Sequence, residues 1–290
     1  MRWRPGGVSS DVEDQRGQGS GGGGGPGIRI GLGGAVLLLV LSLATGKNFF
    51  AILGGDGTVP DTGTGEPAPY QSTPEENELV QFVSFVLDDV QDTWTKELPA
   101  AGKSYRRAKL VLFTDGVRSG CGNAESAMGP FYCPVDEKVY IDLGFYRELK
   151  RRFGAPGDFA QAYVIAHEIG HHVQHQLGIS DRVRSAQEQR PDQANALSVR
   201  LELQADCLAG VWGNSTEKRN ILEAGDADEA LAAAAAIGDD RIQRGAGAGV
   251  NPETWTHGSS RQRVAWFKHG LESGRLDDCD TFKSQLPDER

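Results

Sequence analysis

The chain has 290 residues, a formal net charge of −10 and an isoelectric point near 5.1. This acidic balance, together with the lack of a dense basic cluster, argues against nucleic-acid binding. Hydrophobic residues make up 38% of the sequence, which is enough for a core, but residues 1–72 contribute little to it. We therefore expect a single globular domain in the remainder of the chain.

The N-terminal region has the composition of a chain that does not fold. Residues 1–27 are rich in glycine, serine and arginine, and consecutive glycines occupy positions 21–25. So little apolar surface cannot offset the entropy lost on folding, and we predict that residues 1–27 form a disordered tail. Residues 54–72 are rich in glycine, proline, threonine and aspartate, which predicts a linker.

An apolar run without a charged residue, residues 30–46, lies between these two regions. As a helix it would span about 26 Å, close to the thickness of the hydrocarbon core of a bilayer. We predict a transmembrane anchor over residues 28–53, left uncleaved because no small-residue cleavage site follows. Arginines precede the run and a single lysine directly follows it. The positive-inside rule therefore predicts a single-pass protein with a cytoplasmic N-terminus and an extracytoplasmic domain.

The remaining sequence contains both helical and strand patterns. Thr73 and Glu76 form a capping-box pattern ahead of a helix that extends to about Leu98. The β-branched and aromatic runs 109–114 and 138–142 predict strands joined by a long loop. Further patterns predict helices over 158–178, 199–212, 226–237 and 260–270, a loop or short turn over 179–191, and a turn-rich connector over 239–249. This mixture predicts an α+β fold.

An H-E-x-x-H motif at residues 167–171 lies within the first of these later helices. Histidines four residues apart lie one turn apart on the same helix face, so the side chains of His167 and His171 can bind one ion. Glu168 lies beside the first histidine, where its carboxylate can accept a proton from a water molecule that the ion activates. The motif therefore predicts a zinc site with a catalytic base.

The third metal ligand is predicted to come from a later helix. A metzincin would need glycine at position 174 and histidine at position 177, but the sequence has Gln174 and Leu177. Glu202 is the best candidate carboxylate, and Asp206 lies four residues further along the same helix face. We predict that Glu202 binds the metal and that Asp206 orients a ligand histidine. Two alternatives stay open, an acidic face exposed to solvent and His175 as the third ligand.

His257 lies in a predicted loop immediately before the last helix, with Ser259 or Ser260 as the N-cap. It could donate a hydrogen bond to the oxyanion that forms when water attacks a peptide carbonyl. It could equally serve the loop alone by bonding to the backbone. We include His257 as a candidate catalytic residue.

The four cysteines, Cys121, Cys133, Cys207 and Cys279, form no C-x-x-C pair, so a cysteine zinc ribbon is not expected. Of the three possible pairings we favour Cys121–Cys133, within one hairpin, and Cys207–Cys279, which would tie the C-terminal tail to the second metal-site helix. The alternative is free buried thiols in a cytosolic protein. The predicted export favours the disulfides, because these persist in oxidising compartments.

Four separated blocks of the sequence resemble the bacterial neutral zinc metallopeptidase family. They are residues 129–142, 166–175, 202–212 and 257–263, and they occur in this order. The resemblance implies a zincin-like fold and a membrane-anchored, extracytoplasmic peptidase. It also implies that a strand beside the motif helix, Val139–Asp142 or a neighbour, binds an extended peptide by β-addition. The alternative of an ordinary sheet strand stays open, because the sequence does not show which strand lies at the edge.

Together these features predict a zinc peptidase domain over residues 73–290, held to the membrane by a single N-terminal helix. The predicted cofactor is Zn2+, and the predicted partners are the membrane and a peptide or protein substrate. Two other functions stay open. One is a zinc-stabilised binding or scaffold domain that hydrolyses nothing, and the other is an amidase that cuts cell-wall peptides.

Overall fold

A computed structural model describes residues 1–18, 70–153, 157–245, 247 and 249–287. Within these ranges the chain contains both helices and strands, and the predicted α+β class is confirmed. The helices are α1 Pro74–Ala100, α2 Gly144–Phe153, α3 Asp158–Gln176, α4 Ile179–Gln189, α5 Ala194–Lys218, α6 Asp226–Ala236, α7 Asp239–Gly245 and α8 Ser260–Ser273. The strands are β1 Val12–Asp14, β2 Lys109–Phe113, β3 Gly116–Ser119, β4 Gly122–Glu125, β5 Phe131–Cys133 and β6 Lys138–Asp142.

The strands form a four-stranded sheet in the order β1-β2-β6-β5 and a separate hairpin of β3 and β4. β1, β2 and β6 run parallel, and β5 runs antiparallel to β6. Nearly all side chains of β2 and β6 are buried, which explains why both read as continuous apolar runs. The two predicted strands are thus confirmed. The loop predicted between them contains β3, β4 and β5, and the first two escaped prediction because they have few β-branched or aromatic residues.

β6 lies inside the sheet rather than at its edge. Val139 and Tyr140 pair with β2 on one side and with β5 on the other. Their backbone groups are therefore already used, and the prediction that this part of Val139–Asp142 accepts an added peptide strand is wrong. The neighbouring β5 is the strand at this edge of the sheet in the described part of the chain.

Glycines allow three helices, α3, α5 and α8, to pack with their backbones in close contact. A β-carbon on Gly170 of α3 would lie 3.1 Å from the carbonyl oxygen of Ala205 in α5. α5 and α8 meet at Gly210 and Gly270. A β-carbon on either of these two residues would overlap backbone atoms of the other helix. Only glycine fits such a contact, and it brings the face of α5 close to both neighbouring helices.

Two connections contain helices where the sequence pattern indicated turns. Residues 179–191, predicted as a loop or short turn, contain the 11-residue helix α4. The connector over 239–249 begins with α7. Val183 is the only buried residue of α4, so this segment lacks the apolar stripe by which an amphipathic helix is recognised. The predicted capping box of α1 and the predicted N-cap of α8 at Ser259 are both present.

Residues 1–18, which we call the N-terminal arm, pack on the domain. The prediction of a disordered tail over residues 1–27 is therefore wrong for the arm. β1 adds to the edge of the sheet beside β2, and Asp11 forms ion pairs with Arg107 at 2.6 Å and Lys109 at 2.8 Å. Composition was misleading here because ion pairs and backbone hydrogen bonds contribute much of the arm's contact with the domain.

The predicted anchor, residues 28–53, and all but the last three residues of the predicted linker over 54–72 lie outside the described residues. Among the described residues no helix combines the length and the apolar character needed to span a membrane. The anchor therefore stays a prediction.

Both favoured disulfides, Cys121–Cys133 and Cys207–Cys279, are present. The first joins the turn between β3 and β4 to the end of β5. The second joins α5 to a 3-10 turn near the C-terminus, and its first cysteine directly follows Asp206. The described residues contain no free cysteine.

Replacement of Gly270 by alanine should destabilise the protein, because the added methyl group must force α5 and α8 apart. We expect the free energy of unfolding to fall by about 1–3 kcal/mol. Gly245→Ala is the matched control, since a β-carbon at Gly245 would meet no atom within 4 Å. Urea denaturation of the purified full-length variants measures both effects. Equal stability of the two variants would contradict the close helix contact.

Candidate metal centre

The two motif histidines and Glu202 converge between α3 and α5. One ligand atom from each of His167, His171 and Glu202 lies within 4.8 Å of the other two. The Nε2 atom of His167 is 3.2 Å from Oε2 of Glu202, and the Nε2 atom of His171 is 3.4 Å from Oε1. Two atoms that each lie about 2.1 Å from a tetrahedral ion are about 3.4 Å apart, so this spacing fits a shared zinc ion. The structure thus brings the three predicted ligands together.

Asp206 holds the other ring nitrogen of His167. The Nδ1 atom of His167 is 2.9 Å from Oδ1 of Asp206, whose side chain is fully buried. A proton on Nδ1, donated to this carboxylate, leaves the Nε2 lone pair facing Glu202 and free for a metal. Asp206 therefore lies where the sequence predicted a residue that orients a ligand histidine.

Arg263, which was not predicted, completes the buried cluster around Asp206. Its Nε and Nη2 atoms lie 2.9 Å from the two carboxylate oxygens of Asp206. The hydroxyl of Tyr163 donates to the same carboxylate. This bidentate guanidinium supplies the opposite charge that a buried aspartate needs. Arg263 belongs to α8, and only the packing of α8 on α5 reveals its partner.

Gln174 holds the second motif histidine. Its Oε1 atom is 2.9 Å from Nδ1 of His171, and its amide nitrogen donates to the carbonyl of Leu201 in α5 at 2.7 Å. Gln174 is itself fully buried. At the sequence level it served only to exclude a metzincin. The signal available was its position three residues after His171, which places the two side chains on one helix face.

The electrostatics of the site favour a positive charge between the three ligands. Burial alone lowers the pKa of His167, but the charge of Asp206 and the hydrogen bond to it outweigh burial, and the pKa rises to about 10. Burial also lowers the pKa of His171, but the charge of Glu202 reverses this shift. Burial raises the pKa of Glu202, and the imidazoles more than compensate, so that it falls well below its usual range. A divalent cation bound to the two neutral imidazoles and the carboxylate would supply the positive charge that this site favours.

Glu168 lies next to the first ligand and is 8% exposed. Burial and, to a lesser extent, the charge of Glu168 raise the pKa of the Tyr146 hydroxyl in α2. The Tyr146 hydroxyl is buried and has no hydrogen-bond partner among the described residues. The carboxylate of Glu168 thus lies in surroundings where little water competes for it, which suits a general base.

Asp239, also missed at the sequence level, holds His257 in the loop between α7 and α8. Its carboxylate accepts the backbone N–H groups of Thr256, His257 and Gly258 at 2.8, 2.7 and 3.0 Å. It also lies 3.2 Å from Nδ1 of His257. Burial lowers the pKa of His257, but the hydrogen bond to Asp239 and the charge of Glu202 raise it overall. Of the three candidate metal ligands, Glu202 is thus the one whose charge acts on His257.

The alternatives left open for the third ligand do not fit the structure. The Nε2 atom of His175 is 3.6 Å from Glu137, outside the ligand group. The carboxylates of Glu202 and Asp206 are 19% and 0% exposed, so they do not form a solvated acidic face. Glu202 is the third ligand that the geometry supports.

A second group of acids also brings three carboxylates within 4.8 Å of one another, Asp158, Asp226 and Glu229. The α-ammonium group of Met1 lies 2.7 Å from Asp158 and 3.2 Å from Asp226. This ammonium group supplies the positive charge that two of the acids need, so the cluster requires no metal.

Comparison with known proteins agrees with the chemistry of the site. A family model described as "Putative neutral zinc metallopeptidase" matches residues 1–282. The chain belongs to this family. The match includes the N-terminal arm and every residue of the candidate metal centre, and the family resemblance found in the sequence is confirmed.

Relatives of this chain occur in Escherichia coli and in Mycobacterium. The uncharacterized protein YpfJ of Escherichia coli strain K12 is 47% identical over an alignment 297 residues long, gaps included. The alignment covers 99% of this chain and 100% of YpfJ. The uncharacterized proteins Mb2605 of Mycobacterium bovis and Rv2575 of Mycobacterium tuberculosis are each 46% identical over 208 residues, or 68% of either chain. No solved structure matches the chain.

Replacement of Asp206 by asparagine should weaken zinc binding about 10- to 100-fold, because His167 loses the charge that fixes its ring. Tyr163→Phe is the milder control, since it removes one hydrogen bond to the same carboxylate and keeps the charge. Competition with a chromogenic chelator measures both dissociation constants on the full-length protein. Circular dichroism verifies folding, because Arg263 loses its counter-charge in Asp206→Asn. Unchanged zinc affinity in the folded variant would show that Asp206 does not support the ligand.

Proposed function

We propose that this protein is a zinc-dependent peptidase that uses Glu168 as its general base. The observation that supports this proposal is the convergence of His167, His171 and Glu202 at distances that suit one tetrahedral ion, with Glu168 adjacent. The family to which the chain belongs is consistent with a peptidase. Peptides and proteins are therefore the substrate class.

Zinc held by His167, His171 and Glu202 supplies a Lewis acid that activates water and polarises the scissile carbonyl. The protein's own contribution begins with the orientation of its ligands. Asp206 fixes the ring of His167, and Gln174 fixes the ring of His171. Both supporting side chains are fully buried, so the ligand atoms are held in place before a metal or substrate binds.

Glu168 moves the proton in this proposal. Its carboxylate accepts a proton from the attacking water and then donates it to the amine nitrogen that leaves when the peptide bond breaks. The buried position of Glu168 supports this role, because a carboxylate shielded from bulk water interacts more strongly with a nearby proton donor.

His257 stabilises the charge that develops on the carbonyl oxygen. Asp239 holds the imidazole through Nδ1, so Nε2 is the nitrogen left to donate a hydrogen bond to the oxyanion. The side chain of His257 is 37% exposed, which leaves it accessible to a bound substrate. The Asp239–His257 pair therefore acts as a preset donor at the edge of the metal centre.

We also propose that the catalytic domain works outside the cytoplasm. The support is the presence of the two disulfides, Cys121–Cys133 and Cys207–Cys279. Disulfides form and persist mainly in oxidising compartments, whereas cytosolic thiols are kept reduced.

The variant Glu168→Gln should keep its zinc and lose turnover by about 10²–10⁴-fold, because an amide cannot accept the proton. Glu202→Ala should lose both zinc and turnover, since it removes a ligand. Glu78→Gln, which alters an exposed acid on α1, should change neither quantity. Casein hydrolysis and metal content of the purified full-length proteins measure these effects.

Each competing function has a distinct outcome in this experiment. Full function in Glu168→Gln would contradict the peptidase and favour a zinc-stabilised binding domain. Hydrolysis of purified cell-wall peptides without hydrolysis of casein would assign an amidase. A normal zinc content in Glu202→Ala would remove Glu202 from the ligand set. The full-length chain is required, because a fragment that begins at residue 70 would lack β1.

His257→Ala should lower kcat about 10²–10³-fold without changing the zinc content, because one donor to the oxyanion is lost. His269→Ala is the matched control, since His269 lies on α8 and contacts the backbone carbonyl of Asp278 at 3.1 Å. Steady-state hydrolysis of a peptide substrate gives kcat and KM for both variants. Equal kcat values would assign His257 to the support of its loop.

A further inference from the structure

The N-terminal arm forms part of the sheet. β1 runs parallel to β2 over a register of three residues. The backbone N–H of Leu110 donates to the carbonyl of Asp11, and the N–H of Gln15 donates to the carbonyl of Leu112, both at 2.8 Å. These hydrogen bonds cover the edge of β2, which would otherwise present unpaired backbone groups.

Side chains of the domain neutralise the charge of the arm. The carboxylate of Asp11, 8% exposed, accepts hydrogen bonds from Arg107 at 2.6 Å, from Lys109 at 2.8 Å and from the amide of Gln91 at 3.3 Å. Gln91 is fully buried. Without the arm, the amide nitrogen of Gln91 would lose this partner inside the protein, which is costly for a buried donor.

Contacts with α1 hold the arm before and after its exposed residues 4–8. The ring of Trp3 packs edge-on against Phe82, with the ring centroids 5.3 Å apart. The hydroxyl of Ser9 donates to the carboxylate of Asp88 at 2.8 Å. The arm therefore contacts both the sheet and the long helix beside it, and it belongs to the same folded unit.

The end of the arm lies beside Tyr70. The guanidinium carbon of Arg16 is 5.1 Å from the centre of the Tyr70 ring, and a β-carbon on Gly17 would overlap the side chain of Tyr70. The described residues on either side of the segment 19–69 thus lie next to each other. The sequence of this segment includes the apolar run 30–46, from which a single membrane crossing was predicted.

We propose that the arm and residues 70–287 lie on the same side of the membrane, so that the run 30–46 does not separate them. A single crossing would place its two flanks on opposite sides of a hydrocarbon layer about 30 Å thick. Paired strands lie about 4.8 Å apart, so β1 cannot pair with β2 across that layer. This topology replaces the predicted cytoplasmic tail, because the arm travels with the catalytic domain.

Cross-linking in intact cells tests this topology on the full-length chain. In the variant Ser9→Cys/Asp88→Cys the two thiols replace side chains that are in contact. A short, membrane-permeant bismaleimide can join them in either compartment. After quenching and solubilisation, a protease cuts the chain at a site inserted between residues 57 and 63. All four native cysteines lie C-terminal to this cut, so they cannot connect the two halves.

The proposed topology predicts that the N-terminal fragment stays attached to the domain on a denaturing gel. The matched control Ser9→Cys/Asp181→Cys, whose second thiol lies on the exposed surface of α4, should release the fragment. Release from Ser9→Cys/Asp88→Cys as well would overturn the proposal, because the two positions would then not meet in the cell.

Protease protection gives a second readout that needs no substitution in the arm. One epitope is inserted between Gly6 and Gly7, which are exposed, a second follows the C-terminus, and protease is added to spheroplasts. The proposal predicts that both epitopes are removed or that both survive, since they share a compartment. Removal of one epitope with survival of the other would overturn it. This outcome does not depend on whether the protein is a peptidase.

Discussion

The buried carboxylate of Asp206 connects the three helices on which the metal centre depends. It belongs to α5, accepts hydrogen bonds from Tyr163 and His167 of α3, and forms a bidentate ion pair with Arg263 of α8. A buried ion pair adds little net stability, because desolvation offsets the attraction, but the loss of one partner is costly. The main effect of this cluster is geometric. It fixes α3 against α5 and thereby the distance between His167 and Glu202.

The sequence revealed the part of the site that depends on local spacing. The H-E-x-x-H motif identifies His167, Glu168 and His171, because one helical turn alone sets their relationship. Glu202 and Asp206 could be found because acids on an otherwise apolar helix need partners once they are buried. The partners Asp239 and Arg263 required knowledge of packing, because nothing in their local pattern distinguishes them from ordinary polar residues. Gln174 had a local signal, its position three residues after His171, but that spacing alone does not show that it contacts the histidine.

The elements of the fold were likewise predictable where the local sequence carries their signal. Strands β2 and β6 are apolar on both faces, and α1 has a capping box and a buried stripe, so these elements carry their own signals. The N-terminal arm was misread because its composition was averaged with the glycine run that follows it. α4 was missed because it buries one residue. The contacts that hold the arm come from distant parts of the chain, whereas α4 packs on α3 and α5, its neighbours in sequence.

The contact between α5 and α8 at Gly210 and Gly270 has a consequence for the history of the family. A clash between side chains can be relieved by a new rotamer or by a smaller neighbour, whereas a clash with backbone atoms has no such remedy. A change at either glycine therefore cannot be compensated by one further substitution nearby. Gly210 and Gly270 should tolerate almost no drift among descendants that keep this helix pair, even where the surface and the substrate have diverged.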